Sequence, residues 1–263
     1  MQRSDEGVRH AILTHLRDGG NLTLFLDYDG TLQPIAPTPA EAMPDDELLE
    51  VLMRLSAAPR IRTVILSGRP LADLRRMLRI QGLLLGGLYG VEMLIEGRVL
   101  LREAPHNGDR ESLNSIRKGW TSLLKGRDGF LLEDKGRAIA LHARWADPEQ
   151  AMSVLAAARE ITNDAMDASQ FRILDGDRYL EVAPLRANKG ETVDWLLAEY
   201  PVSRDLPVGF GDDNKDEAAF AVIQRRGGIA IGVGHRYPLP GVDLRLESPK
   251  MVRAWLESFL QAQ

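Results

Sequence analysis

Asp27 and Asp29 stand two residues apart where the apolar run of "NLTLFLDYDGTL" ends. Two carboxylates at the mouth of a buried strand repel each other where water is scarce. The pair therefore calls for a solvated turn or for a positive charge nearby. Other polar residues follow or flank apolar runs in the same way. Ser67 closes "IRTVILSGR", Lys189 opens "KGETVDWLLAEY", and Asp212, Asp213 and Asp216 fill the turn after "LPVGFG". Each has a plain reading by itself: a common Asp-Gly turn, a helix N-cap at Ser67, a surface lysine at Lys189. Together they describe one chemistry. Asp27, Asp29 and Asp212 offer hard oxygen ligands suited to Mg²⁺, with water and a substrate phosphate completing its shell. Lys189 adds a point charge for phosphate, while Ser67 and nearby backbone N–H groups, Gly68 included, add donors at a helix start. Such a set binds a phosphate and spreads its developing charge, which is most of what phosphoryl transfer requires. An aspartate beside the metal can serve as nucleophile, and a second one two residues on as general acid and then base.

These residues need a scaffold that gathers strand ends. The first third of the chain alternates apolar strands with amphipathic helices: a strand over Leu22 to Leu26, the helix "PDDELLEVLMRL", the strand "IRTVILSGRP", the helix "LADLRRML" and a third strand in "LLLGGLYG". The alternation returns after Lys189 with "LPVGFG", "GGIAIGVG" and a terminal helix in "MVRAWLESFL". This pattern predicts an α/β fold with a Rossmann-like parallel sheet, whose carboxyl-end crevice collects the polar residues into one site. Between the two parts, helices over 108–126 and 147–165 alternate with two hairpins. The hairpins are expected to turn at Lys135-Gly136 and at Asp175-Gly176. This helix–hairpin–helix–hairpin order predicts an inserted α+β cap. The expected division is a core over 1–102 and 185–263 with a cap over 103–184, hinged around 100–104 and 183–187 so that it closes over a substrate.

Composition sets limits on other functions. The chain of 263 residues carries a net charge of −5 and no basic tail, which argues against general nucleic-acid binding. It has no cysteine, which removes disulfides, thiolate metal sites and cysteine nucleophiles. The charged, amphipathic N-terminus lacks the apolar core of a signal peptide, and the uncharged stretch from Gln81 to Val91 is too short and glycine-rich to span a bilayer. A soluble, cytoplasmic protein without membrane association is the expectation.

The motifs "DYDGTL", "ILSGR", "NKG" and "GDDNKDEAAF" resemble those of the haloacid dehalogenase superfamily of phosphatases. Within it, "FLDYDGTLQPI", "EDKGRAIALHARWADPE" and "GFGDDNKDEAAF" are similar to trehalose-6-phosphate phosphatases, over nearly the whole chain from about Leu24 to Gly234. The resemblance implies an Mg²⁺-dependent hydrolase acting on a sugar phosphate through an aspartyl-phosphate on Asp27. Asp29 would be acid/base and bind the metal through its backbone carbonyl, Asp212 would be the third protein ligand, and Asp213 and Asp216 would lie close behind. Ser67, Gly68 and Lys189 would hold the phosphate, and a sugar-phosphate synthase would be a functional partner. Glu133, Lys135 and Glu181 would read sugar hydroxyls in the cap. From the residues alone, Glu133 and Lys135 equally fit a cross-hairpin surface pair. Three positions depart from the family pattern: Tyr89 where it has His, Lys215 where it has Thr, and Ala187 where an aromatic is common. They bear on the leaving sugar rather than on phosphate chemistry. Phosphorylated precursors such as mannosyl- or glucosyl-3-phosphoglycerate and glucosylglycerol phosphate are the alternative substrates, with Arg137, Arg144, Arg172 and Arg178 available for a carboxylate. A non-catalytic sugar-phosphate sensor is the alternative of another class.

Overall fold

The computed structural model describes residues 4–106 and 108–260. Helix α1 (Asp5–Arg17) leads into β1 (Asn21–Leu26), followed by α2 (Asp46–Ala57), β2 (Ile61–Leu66), α3 (Leu71–Met77), β3 (Leu84–Gly87), β4 (Glu92–Ile95) and β5 (Arg98–Leu101). The inserted segment holds α4 (Asp109–Leu123), β6 (Leu131–Asp134), β7 (Ile139–His142), α5 (Pro148–Ala165), β8 (Phe171–Gly176) and β9 (Tyr179–Pro184). The chain then returns through α6 (Lys189–Glu199), β10 (Asp205–Gly211), α7 (Glu217–Arg225), β11 (Ile229–Val233), β12 (Leu244–Leu246) and α8 (Pro249–Leu260). It divides into two compact units, 1–101 with 188–263 and 102–187.

In the first unit eight strands run in the order β12-β11-β10-β1-β2-β3-β4-β5, parallel through β3 and antiparallel at the β4–β5 edge. The side-chain period of two sorts β1 cleanly. Leu22, Leu24 and Leu26 face a core built with α1, α2, α3 and α8. Phe25 faces a second core built with α6 and α7. A sheet covered on both faces gives strands that read as unbroken apolar runs, which is why β1 was legible. The chain leaves β1 toward β2 on one side and reaches β11 through β10 on the other. The crevice between the ends of β1 and β10 is therefore the switch point where open α/β sheets bind ligands.

In the second unit the sheet order is β6-β7-β9-β8, all antiparallel. Ile139, Leu141, Leu180 and Val182 pack against Trp120 of α4 and Val154 and Ala158 of α5. The Trp120 indole N–H donates to the Ala158 carbonyl at 2.9 Å, satisfying the one polar atom of that buried ring.

Several expectations need correction. The second cap hairpin turns at Asp177-Arg178, since Gly176 pairs with Tyr179; Arg178 takes the left-handed backbone (φ 51°) and Asp175-Gly176 lies inside the strand. The third strand stops at Gly87, because Leu88, Tyr89 and Gly90 all have positive φ and break the ladder. The α2 helix starts after Pro44, with the Asp45 carboxylate accepting from the Leu48 N–H at 2.9 Å as its cap. The β4–β5 hairpin and β12, unrecognised in the sequence, extend the sheet at its edges. The unit boundary also falls later than expected, at Ala187. Leu185 N–H bonds Gln170, Ala187 N–H bonds Pro184, and Arg186 N–H bonds Glu103, tying 185–187 to the inserted unit.

Candidate active site

Asp27 continues β1 by one residue, its N–H donating to the Phe210 carbonyl at 3.1 Å. Alternation places it on the side of the sheet covered by α6 and α7. Those helices supply its neighbours: Lys189 opens α6, and Asp216 immediately precedes α7. The Lys189 ammonium donates to Asp27 Oδ1 at 2.6 Å and to Asp216 Oδ1 at 2.6 Å, with the lysine only 4% exposed. The other oxygen of Asp216 accepts from the backbone N–H groups of Asp212 (3.1 Å) and Asp213 (3.2 Å), so this carboxylate shapes the acidic turn as well as anchoring the lysine.

Asp212 follows the last residue of β10 and meets Asp27 across the switch point. Carboxylate oxygens of Asp27, Asp212 and Asp216 all lie within 4.8 Å of one another. Gly30 makes this approach possible. Its φ of +90° suits glycine, and a Cβ there would lie 2.2 Å from Asp212 Oδ2. Thr31 donates from its hydroxyl to Asp212 Oδ1 at 3.2 Å.

One buried ammonium against three buried carboxylates leaves excess negative charge, and the acidities show it. Burial pushes the Asp212 carboxyl up to about 9, with Asp27 and Asp216 adding to the push. Burial also raises Asp216, to about 7, although Lys189 pulls it back in part. Asp27 is raised by burial against the pull of Lys189. Burial opposes the charge on Lys189, but Asp216 and Asp27 outweigh it and hold the ammonium protonated. A hard divalent cation fits this all-oxygen cluster and would offset its charge.

Other residues singled out in the sequence are placed differently. Ser67 is buried, and its hydroxyl accepts from the Arg69 N–H at 3.2 Å; it shapes the turn after β2 rather than capping α3, whose cap position is Pro70. The expected donors at that helix start are reduced, because the Leu71 N–H donates to the Glu92 carboxylate at 3.0 Å. Gly68 lies against the Tyr89 hydroxyl, where a Cβ would approach to 2.6 Å. Tyr89 is buried, its N–H bonding the Ser67 carbonyl and its carbonyl accepting from Thr192 of α6. The departure from histidine thus sits under the Ser67–Gly68 turn. Asp213 is outside the cluster of three, and the Lys215 ammonium holds its Oδ2 at 2.7 Å. Burial would raise Asp213, but Lys215 keeps it below the usual carboxylate range. Ala187 is buried in the other unit.

Asp29 does not join Asp27. Its two carboxylate oxygens accept from Arg69 Nε and Nη2, both at 2.7 Å. Arg69 was not singled out in the sequence, though it sits in the quoted "SGR"; an arginine two residues beyond Ser67 was the available signal.

In the inserted unit, Glu133, Ala140, Glu181 and Leu174 form one cross-strand row, and Leu131, His142, Tyr179 and Gly176 the next, on the face away from α4 and α5. The Lys135 ammonium donates to Glu181 Oε1 at 2.9 Å and to the Tyr179 hydroxyl at 3.0 Å, while that hydroxyl donates to Glu181 Oε2 at 2.5 Å. Glu133 Oε2 pairs with His142 Nε2 at 2.8 Å and stands 4.0 Å from Lys135. Lys135 and Glu181 are buried, so the lysine is part of an interior network and not of an exposed hairpin pair. Tyr179 and His142 complete it. Neither was picked from the sequence, and the strand alternation that places them beside Glu181 and Glu133 was the signal.

A profile of the family described as "Trehalose-phosphatase" matches residues 25–237. Trehalose-6-phosphate phosphatase from Escherichia coli is 30% identical over 239 residues, covering 90% of this chain and 86% of that protein. A bifunctional trehalose-6-phosphate synthase/phosphatase from Thermoproteus tenax is 33% identical over 220 residues, 80% of this chain but 28% of the longer protein. Among solved structures, the C-terminal domain of Candida albicans trehalose-6-phosphate phosphatase superposes with a TM-score of 0.83 at 23% identity, covering 96% of both chains. A haloacid dehalogenase-like hydrolase from Bacteroides thetaiotaomicron shares the fold at a TM-score of 0.61 and 14% identity, covering 93% of this chain and all of that one.

Proposed function

Because the chain belongs to the trehalose-phosphatase family and is a phosphoric monoester hydrolase, we propose that it converts trehalose 6-phosphate to trehalose and inorganic phosphate. The observation that carries the chemistry is the buried cluster in which Lys189 bridges Asp27 and Asp216 beside Asp212. Mg²⁺ is the fitting cofactor, and Asp27, Asp212 and the Asp29 backbone carbonyl would hold it. When bound, it offsets the carboxylate charge and polarises the substrate phosphate.

The residues then divide the work. Lys189 fixes Asp27 Oδ1, which leaves Oδ2 to attack phosphorus. The bond from phosphorus to the sugar oxygen breaks, and Asp29, protonated for this step and so released from one of its two Arg69 bonds, delivers that proton to the oxygen. Asp29 next takes a proton from water, whose oxygen attacks the phosphoryl group on Asp27. The phosphorus–Oδ2 bond breaks, giving inorganic phosphate and restoring the carboxylate. Lys189, Ser67 and Gly68 hold the phosphate oxygens. Asp213 and Asp216 support the acidic turn.

Glu133, Lys135 and Glu181 are the proposed readers of sugar hydroxyls, for which buried charged groups of fixed geometry are well suited. A phosphoglycerate substrate has less support. Of the arginines available for its carboxylate, Arg178 donates to the backbone carbonyls of Arg144 and Ala146. A synthase that makes the substrate is the proposed functional partner, given the fused synthase/phosphatase relative. Among the described residues no helix is long and apolar enough to cross a membrane. Phosphate release over a panel of sugar phosphates, with and without Mg²⁺, tests the proposal. Trehalose 6-phosphate should give the highest kcat/KM, and only with the metal; preference for a phosphoglycerate ester would overturn the substrate.

A further inference from the structure

The geometry points to Arg69 as the residue that positions the acid/base carboxylate, and this rests on the proposed role of Asp29. The guanidinium meets Asp29 through two parallel bonds, Nε to Oδ2 and Nη2 to Oδ1, each 2.7 Å. A bidentate fork of this kind fixes the plane of a carboxylate as well as its distance, which a single ammonium does not.

Arg69 is itself fixed from several directions. Its Nη1 donates to the Pro39 carbonyl at 2.7 Å, in the loop between β1 and α2. The guanidinium carbon lies 5.4 Å from the centre of the buried Tyr28 ring, on the residue between the two aspartates. Its N–H donates to the Ser67 hydroxyl and its carbonyl accepts from the Leu88 N–H, so its backbone is part of the turn after β2. The arginine side chain is 8% exposed, against 36% for Asp29. The carboxylate is thus the less enclosed partner and takes its orientation from the arginine.

The link also joins both halves of the proposed reaction. The Ser67–Gly68 turn holds phosphate, and Arg69, the next residue, aims the group that serves the leaving oxygen. An exposed salt bridge would be worth little, but a pair whose enclosed partner is also anchored to the Pro39 carbonyl holds its geometry. A carboxylate misplaced by about 1 Å can cost roughly 10²-fold in rate.

Leaving-group dependence separates positioning from scaffolding. A sugar alkoxide needs a proton to depart, whereas nitrophenolate does not. The measurement is kcat/KM for trehalose 6-phosphate and for p-nitrophenyl phosphate in wild type, R69K, R69Q, D29A and R69Q/D29A, with folding checked by Tm. D29A should lower the sugar-to-aryl ratio by about 10²-fold, the ordinary worth of a general acid. R69K and R69Q should lower the ratio about tenfold, through kcat rather than KM, and R69Q should lower it no further in the D29A background. Equal losses on both substrates in R69K and R69Q, alongside the expected D29A effect, would overturn the inference and leave Asp29 as acid/base. An unchanged ratio in D29A would instead remove the acid/base reading, and the inference with it. R69K keeps the charge, so it carries the test alone should R69Q fail to fold.

Discussion

Among the described residues, two buried clusters are each built around a single lysine, and they are not alike. In the first unit Lys189 faces Asp27 and Asp216 with Asp212 beside them, and burial drives Asp212 and Asp216 well above ordinary acidity. In the second, Lys135 faces Glu181 with a tyrosine hydroxyl filling the third side, and Glu133 turns to His142. The first cluster carries more negative charge than its lysine offsets. The second spreads its charge over a hydrogen-bonded network. A surplus of buried carboxylate suits a divalent cation and a phosphate; a balanced network on a sheet face suits neutral hydroxyls. On the proposed function, the difference separates reaction from selection.

The largest effect should come from breaking the first cluster. K189M removes the buried ammonium and leaves Asp27 and Asp216 without their shared partner. Activity on any phosphate ester should fall about 10³-fold, and stability by roughly 3–5 kcal/mol. A variant retaining near-normal turnover would contradict the assignment. The matching change in the second cluster, E181Q, should cut kcat/KM for trehalose 6-phosphate by about 10²-fold and that for p-nitrophenyl phosphate far less. Equal losses on both would show that the two clusters do not divide the work.

Metal and pH sharpen the contrast. Asp212 and Asp216 in the folded chain hold protons to about 9 and about 7, above the ordinary 3.8. Metal-free protein therefore binds more protons than the unfolded chain as pH rises from about 4 to about 9, and it loses stability across that window. Mg²⁺ at a hundredfold excess over Kd should restore about 2.7 kcal/mol, or roughly 5–11 °C in Tm. The gain should be larger at pH 9 than at pH 6, where protons compete. D212N should abolish most of it, and a Tm indifferent to Mg²⁺ in wild type would contradict the charge surplus. The smallest effect belongs to Lys215, which pairs with Asp213 beside the cluster. K215T removes a positive charge from the turn and should tighten Mg²⁺ binding about threefold by calorimetry, an effect of the size of one partly screened charge.

The first cluster was legible because each member sits at the end of an apolar strand or the start of a helix, so short contiguous motifs carried it. Even there, the sequence left Asp213 and Asp216 undivided. The structure distinguishes them through Lys215, a side chain that takes up Asp213 locally. Arg69 went unnoticed because its partner lies 40 residues earlier, across a parallel strand pair. In the second unit Glu133, Lys135 and Glu181 came only from family resemblance. Tyr179 and His142 needed the register that sets them in the rows of Glu181 and Glu133. The Asp175-Gly176 pair misled because an Asp-Gly step favours a turn, yet both residues stay in β8 and the hairpin closes two residues later, which pairs Ile173 with Val182 and Leu174 with Glu181.

The most direct test of the central claim is acid quenching of the enzyme during turnover of trehalose 6-phosphate with Mg²⁺, followed by peptide mass mapping. A phosphoryl group on the peptide containing Asp27, absent from D27N together with phosphate release, is the predicted result. Metal-dependent phosphate release by a folded D27N protein would contradict it.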